Sequence, residues 1–190
     1  MDQHLSDETW MIRLQGSDHA ALEVLYHRYA DRLMGFLYKM VSGDRALAED
    51  LLHDVFLRVA SQAQRFDAGR SFRAWVFTIA ANLARNQLRT IHREQEEVNP
   101  DLGILDSGDE DRLLHPIDQP QFARLLDQAL DELSAAKRTA FLLRYQIHLP
   151  LEEIAEIQGC STGTVKSRLF YTLRYLETRL HHFHPLNQSS

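Results

Sequence analysis

Two groups of side chains in this chain have the types and spacing for nucleic-acid contact. The first lies in FRAWVFTIAANLARNQLR, where Thr78, Asn82, Arg85, Asn86 and Arg89 recur at intervals of four, three, one and three. On a helix that spacing gathers them on one face. Asn carboxamides match base edges and guanidinium groups match phosphates, so the row suits DNA. Just ahead of it, Arg65, Phe66 and Arg70 set an aromatic ring among cations, a combination able to stack on or enclose an unpaired base. A solvated basic face and a core Phe66 are the plainer readings of the same residues.

The second group lies in LEEIAEIQGCSTGTVKSRL, Leu151 to Leu169. Two helices crossing steeply need a small residue at the crossing, supplied by Ala155. The turn needs a residue at ease with positive φ, supplied by Gly159. The second helix then needs a buried branched residue, supplied by Val165, with Ile154 and Leu169 completing a small core. These positions define a helix-turn-helix. Val165, Leu169, Thr172, Leu173, Leu176 and Leu180 are expected on the buried face of its last helix. Gly163, Thr164, Ser167, Tyr171 and Arg174 fall opposite, flanked by Lys166 and Arg168. Short polar groups near a helix start can reach base edges, with cations beside them for phosphates.

A third stretch, AEDLLHDVFLRV, buries Ala48, Leu52, Val55, Phe56 and Val59 by its periodicity. It leaves Asp50, Asp54 and Leu57 outward, with His53 and Arg58 at the edges. An acidic face with an exposed Leu fits docking on a basic or amphipathic helix, although a solvated face is commoner. Glu49, Asp50 and Asp54 do not amount to a magnesium site, since no phosphate-cradling Gly loop or nucleophile accompanies them. No enzymatic activity, cofactor or metal is therefore expected. His181, His182 and His184 lack a carboxylate or Cys to complete a ligand set. Cys160 is the single cysteine. That excludes an internal disulfide, and a buried structural thiol is the simpler reading.

The elements that must position these groups are all helical. Gly and Pro number only 8 and 5 in 190 residues, and apolar residues recur every three or four positions. Helices are predicted over 18–41, 45–62, 72–93, 122–133, 135–146, 151–158 and 162–180, with Asp44, Ser71, Ser134 and Ser161 as caps. Residues 94–120 lack periodicity and hold nine acidic residues against one basic, a local charge of −8. They are expected to form a flexible acidic linker. The fold expected is therefore all-α: two small helical domains, 1–93 and 121–182, joined by the linker 94–120 and followed by a polar tail, 183–190.

The net charge of −6 conceals this division. Residues 64–93 carry +5 and residues 161–181 carry +3, so the cations are concentrated where phosphates would lie. No apolar run nears the roughly 20 residues needed to span a bilayer. The opening MDQHLSDETW is too polar for a secretory signal. No membrane insertion and a cytoplasmic location are expected.

Taken in order, AEDLLHDVFLRV, RFD, FRAWVFTIAANLARNQLR and LDELSAAKRTAFLLRYQIHLPLEEIAEIQGCSTGTVKSRL resemble the extracytoplasmic-function group of bacterial sigma factors. The resemblance covers about 18–93 and 122–180. It implies that the 48–59 helix docks on the clamp of the largest subunit of core RNA polymerase, through Asp50, Leu51, His53, Asp54 and Leu57. It implies that Arg65, Phe66 and Arg70, with Asn82, Arg85, Asn86 and Arg89, hold the melted minus-ten strand, one base being extruded into a loop pocket. Thr162, Gly163, Thr164, Lys166, Ser167, Arg168, Tyr171 and Arg174 would enter the major groove of the minus-thirty-five element. Promoter DNA, core polymerase and an anti-sigma factor are the partners it implies. Asn86 stands where many members carry Asp, and the Arg-rich run usual after this helix is here Thr90-Ile91-His92-Arg93. The alternative is a helix-turn-helix regulator independent of polymerase, which leaves the Asn82–Arg89 row and the acidic face unused.

Overall fold

Amphipathic patterning in the first half is satisfied by four helices wrapped on one core. The computed structural model describes residues 5–98 and 119–180. Helices α1 (Asp7–Gln15), α2 (Ala20–Met40), α3 (Arg45–Ser61) and α4 (Phe72–Val98) form this half. Along α2, the residues Leu25, Tyr29, Leu33, Phe36, Leu37 and Met40 are buried at intervals of three, four and one. They meet α4 ring on ring. Phe36 sits edge-on to Phe77 at 5.6 Å, and Tyr29 edge-on to Phe72 at 5.1 Å, the geometry that aromatic quadrupoles favour. Asp44 caps α3, its side chain accepting from the Leu47 amide at 3.0 Å. Ser71 caps α4 through the Ala74 amide at 3.2 Å.

Helix α1 is not foreshadowed by the periodicity, and it braces the loop ahead of α4. Trp10, Met11 and Leu14 enter the core, and Glu8 accepts from the Phe72 amide at 3.1 Å, satisfying a donor at the start of α4. The Gln15 carboxamide donates to the carbonyls of Ala63 and Phe66 at 3.0 and 2.9 Å. A single 3-10 turn, Ala63–Arg65, is pinned in this way. Asp7 accepts from Arg28 at 2.6 Å and from the Tyr29 hydroxyl at 2.5 Å. Burial, reinforced by Asp7, raises the Tyr29 hydroxyl far above its ordinary pKa.

The second half comprises α5 (Gln119–Asp131), α6 (Ala135–Tyr145), α7 (Leu151–Gln158) and α8 (Thr162–Arg179). Helices α7 and α8 form the expected helix-turn-helix. Gly159 ends α7 at φ 59°, ψ 40°, the left-handed region that glycine enters freely. The Ser161 hydroxyl then accepts from the Thr164 amide at 3.1 Å. Ile154 and Val165 are fully buried, and Ala155 and Leu169 nearly so. Leu173, expected inside, is instead 43% exposed. The buried stripe of α8 is Val165, Leu169, Thr172 and Leu176, and a residue 100° beyond Thr172 lies past the cover that α6 and α7 provide.

The two halves pack on one another. Helix α7 lies along α4, and α6 lies against both α2 and α4. Arg138 of α6, 3% exposed, donates to the carbonyls of Leu130 at 2.8 Å and Met40 at 3.0 Å. Its ion pair with Asp131 spans 3.1 Å. Lys39 of α2 pairs with Asp127 of α5. Gly35 of α2 faces the end of α6, where the Gln146 carboxamide would lie 2.9 Å from an added Cβ and could swing aside. Helix α4 continues five residues past 93, and α5 begins at 119. The flexible linker expected over 94–120 otherwise falls on 99–118, outside the described residues, as do His181, His182 and His184.

Candidate nucleic-acid interface

Phe72, Val76, Ile79, Ala80 and Leu83 hold one side of α4 in the core, which turns Asn82, Asn86 and Arg89 to solvent. Arg85 is half-buried in this row and leans on Asn82 Oδ1 at 3.4 Å. Burial, then Arg89 and Arg168, hold its pKa below the ordinary arginine value. Its charge is thus crowded by other cations, an arrangement that an anionic phosphate would relieve. Thr78 spends its hydroxyl on the Ala74 carbonyl at 2.7 Å and sits half-buried.

The loop before α4 divides its residues differently from expectation. Arg65 and Arg70 are exposed, but Phe66 is only 5% exposed. Its ring is held by Trp75 at 5.2 Å and Phe72 at 6.0 Å, so it belongs to the core rather than standing free between cations. It forms instead part of the lining of a cleft of about 250 Å³, shared with Arg65, Arg70, Trp75, Thr78 and, from α7, Glu156. The loop is shaped by Asp67, whose carboxylate accepts from the Gly69 amide at 2.9 Å.

On α8 the expected recognition face is open. Gly163, Lys166, Ser167, Tyr171 and Arg174 are exposed, with Tyr171 at 59%, and Thr162 and Thr164 are half-buried at the helix start. Arg174 lies over the Phe170 ring at 5.8 Å, a cation–π contact that steadies a flexible side chain. Arg168 is half-buried, donating to the Gln158 side chain and lying 3.4 Å from the Cys160 sulfur.

On α3, Asp50, His53, Asp54 and Leu57 are exposed, Leu57 at 53%. Leu51, expected at the docking face, is buried at 5%. Helix α3 packs on both α2 and α4, which widens its buried stripe by one position. Leu57 and His53 border a groove of about 430 Å³ also lined by Leu22, Tyr26, Leu52 and Phe56.

Two family matches partition the chain along the same lines. Residues 25–94 match Sigma-70 region 2, and residues 123–176 match Sigma-70, region 4. The RNA polymerase sigma factor CarQ of Myxococcus xanthus is 35% identical over 158 residues, 83% of this chain and 88% of that protein. The ECF RNA polymerase sigma-E factor of Haemophilus influenzae is 29% identical over 189 residues, covering 95% of this chain and 98% of its own. The chain belongs to the extracytoplasmic-function group of RNA polymerase sigma factors.

Solved structures agree. The sigma factor RpoE from Bartonella quintana, in complex with the anti-sigma factor NepR, is 27% identical with a TM-score of 0.65. The match covers 84% of this chain and 96% of that one. CnrH in complex with the cytosolic domain of CnrY shares the fold at 19% identity and a TM-score of 0.69, over 97% and 99% of the two chains. The protein is thus an alternative sigma factor acting in transcription initiation. Among its described residues, no helix is long and apolar enough to cross a membrane.

Two features of this sigma factor were not singled out by sequence reading. Arg73, in the first turn of α4, pairs with Glu153 of α7 at 2.6 Å. Arg70 pairs with Glu156 of the same helix. The signal for Arg73 was its place three residues after Arg70, on the same side of the helix start. The partners of the two arginines lie 86 and 80 residues away, and nothing local announces them.

Proposed function

We propose that this sigma factor binds core RNA polymerase through α3 and reads the minus-ten strand with α4 and its preceding loop. In the same reading, α8 enters the major groove of the minus-thirty-five element. The observation that carries it is the orientation of three distinct faces to solvent: Asp50, Asp54 and Leu57; Asn82, Asn86 and Arg89; and Lys166, Ser167, Tyr171 and Arg174. An acidic face beside an apolar groove suits the clamp of the largest subunit. The polar rows suit base edges flanked by phosphates. Leu51 then acts from the core, by holding α3 in place, and Phe66 acts as a wall of the cleft that receives an extruded base. Residues 94–120 join the two DNA-reading domains, 1–93 and 121–182. The protein works in the cytoplasm without catalysing a reaction of its own, and an anti-sigma factor is its counterpart, as NepR is for the RpoE of Bartonella quintana.

The test is binding of the purified chain to core polymerase, followed by fluorescence anisotropy. Asp50→Arg combined with Asp54→Arg is expected to weaken the complex at least about tenfold, the scale set by reversing charges at an interface. Wild-type protein that fails to bind core polymerase, while still binding duplex DNA, would sink the reading in favour of a polymerase-independent regulator.

A further inference from the structure

Helix α4 and the turn between α5 and α6 enclose a cleft of about 290 Å³ with a cationic lining. Arg85 and Arg89 reach it from α4, and Arg138 borders it from α6. Asp131 is the acid in the lining, and Arg138 takes its carboxylate at 3.1 Å. Among the described residues, neither Arg85 nor Arg89 pairs with a carboxylate. Arg85 reaches the Asn82 carboxamide oxygen at 3.4 Å and is crowded by Arg89 and Arg168. The other wall is the start of α6, where Ser134, Ala135 and Ala136 line the cleft. Ser134 makes no side-chain capping bond, and the first turn holds no acid. The Arg138 amide makes the first helical bond, to the Ser134 carbonyl at 3.0 Å. The amides of Ala135, Ala136 and Lys137 therefore keep the unmet donors of a helix start. This wall is fixed in place, because Arg138 is 3% exposed and donates to the Met40 carbonyl of α2 at 3.0 Å. Guanidinium groups and helix amides thus line one void that binding does not have to assemble.

We propose that this cleft is a binding site for a diphosphate group, whose oxygens take the Arg85 and Arg89 guanidinium groups on one side and the first amides of α6 on the other. Guanidinium forks match phosphate oxygens, and a helix start presents its amides and its positive dipole end to the same group. Two forks and three amides offer more donors than a single phosphate can face. The volume is at the small end for ligand pockets, which suits a diphosphate group. Free pyrophosphate and the phosphate end of a nucleotide share that chemistry. A ligand here bridges α4 and α6, so its occupancy stabilises the whole fold. The site stands whether or not the same arginines also hold the minus-ten strand.

The experiment titrates the full chain, without polymerase or DNA, with magnesium-free inorganic pyrophosphate in a calorimeter. Ionic strength is held fixed, because salt screens exposed charges. Orthophosphate and adenosine diphosphate are titrated alongside. Pyrophosphate is expected to bind one site at least about tenfold tighter than orthophosphate, and to raise the thermal midpoint. Adenosine diphosphate binding as tightly or tighter identifies a nucleotide as the source, and weaker binding identifies the free diphosphate. Ser134→Asp decides the location. Its carboxylate caps α6, so this variant is expected to melt higher without ligand and to lose pyrophosphate affinity at least about tenfold. Arg85→Gln combined with Arg89→Gln should lose it likewise. Lys166→Ala with Arg174→Ala removes two cations from α8, controls for net charge, and should keep it. Helical circular dichroism verifies that each variant folds. Pyrophosphate that binds no tighter than orthophosphate overturns the proposal, as does binding that survives Ser134→Asp or is lost with the α8 pair. Since no DNA enters the test, such a failure leaves the minus-ten reading where it stands.

Discussion

Arg138 carries a formal charge into the middle of the fold. Its guanidinium reaches the Leu130 and Met40 carbonyls, the Ser42 hydroxyl at 3.3 Å and the partly exposed Asp131 carboxylate. Burial lowers its pKa and Asp131 opposes that effect. Removing the guanidinium strands the acceptors and opens a cavity, so Arg138→Ala is expected to cost about 3 kcal/mol, read as a lower urea midpoint. A loss under about 1 kcal/mol would mean that water satisfies those carbonyls. Sequence alone gives Arg138 no such role, because its acceptors are backbone atoms of two other elements. The same limit explains Leu51 and Phe66. Periodicity tells which side of a helix is apolar, but the width of the buried stripe depends on how many neighbours close over it. Asn82, Asn86, Lys166 and Tyr171 lie opposite wide apolar stripes, and there the pattern sufficed.

Helices were legible where both the periodicity and the stop signals were local. Asp44, Ser71 and Ser161 cap as their types dictate, whereas Ser134 makes no side-chain capping bond. Helix α1 escaped notice because DETWMIRLQ buries only Trp10, Met11 and Leu14 in nine residues, too few to set a period. The turn between α7 and α8 allows a sharper test. A Cβ added at Gly159 would meet no atom within 4 Å, so Gly159→Ala is free of steric clash and bears only the left-handed backbone penalty, roughly 1–2 kcal/mol. Gly159→Asn, whose side chain tolerates that region, should lose less. Chemical denaturation of the two variants checks the order. Equal losses would mean that the turn relaxes out of the left-handed region.

At the scale of the molecule, composition placed the cations in two stretches, but their mutual arrangement depends on pairs such as Arg70 with Glu156, which chain order does not advertise. The division between the stretches makes a prediction of its own. Each phosphate contact contributes about 0.9 to the slope of log affinity against log salt on duplex DNA, and about 0.7 on single strands. Lys166 and Arg174 are exposed on α8, so Lys166→Ala with Arg174→Ala should flatten the slope for a mixed-sequence duplex of about 20 base pairs by nearly 2. Arg168 is already engaged by Gln158, and its loss should flatten that slope by less. Arg89→Ala should leave the duplex slope unchanged. It should flatten the slope for oligothymidine by about 0.7. A duplex slope as sensitive to Arg89 as to Lys166 would mean that both faces grip the same double helix, and the assignment of α4 to melted strand would fall.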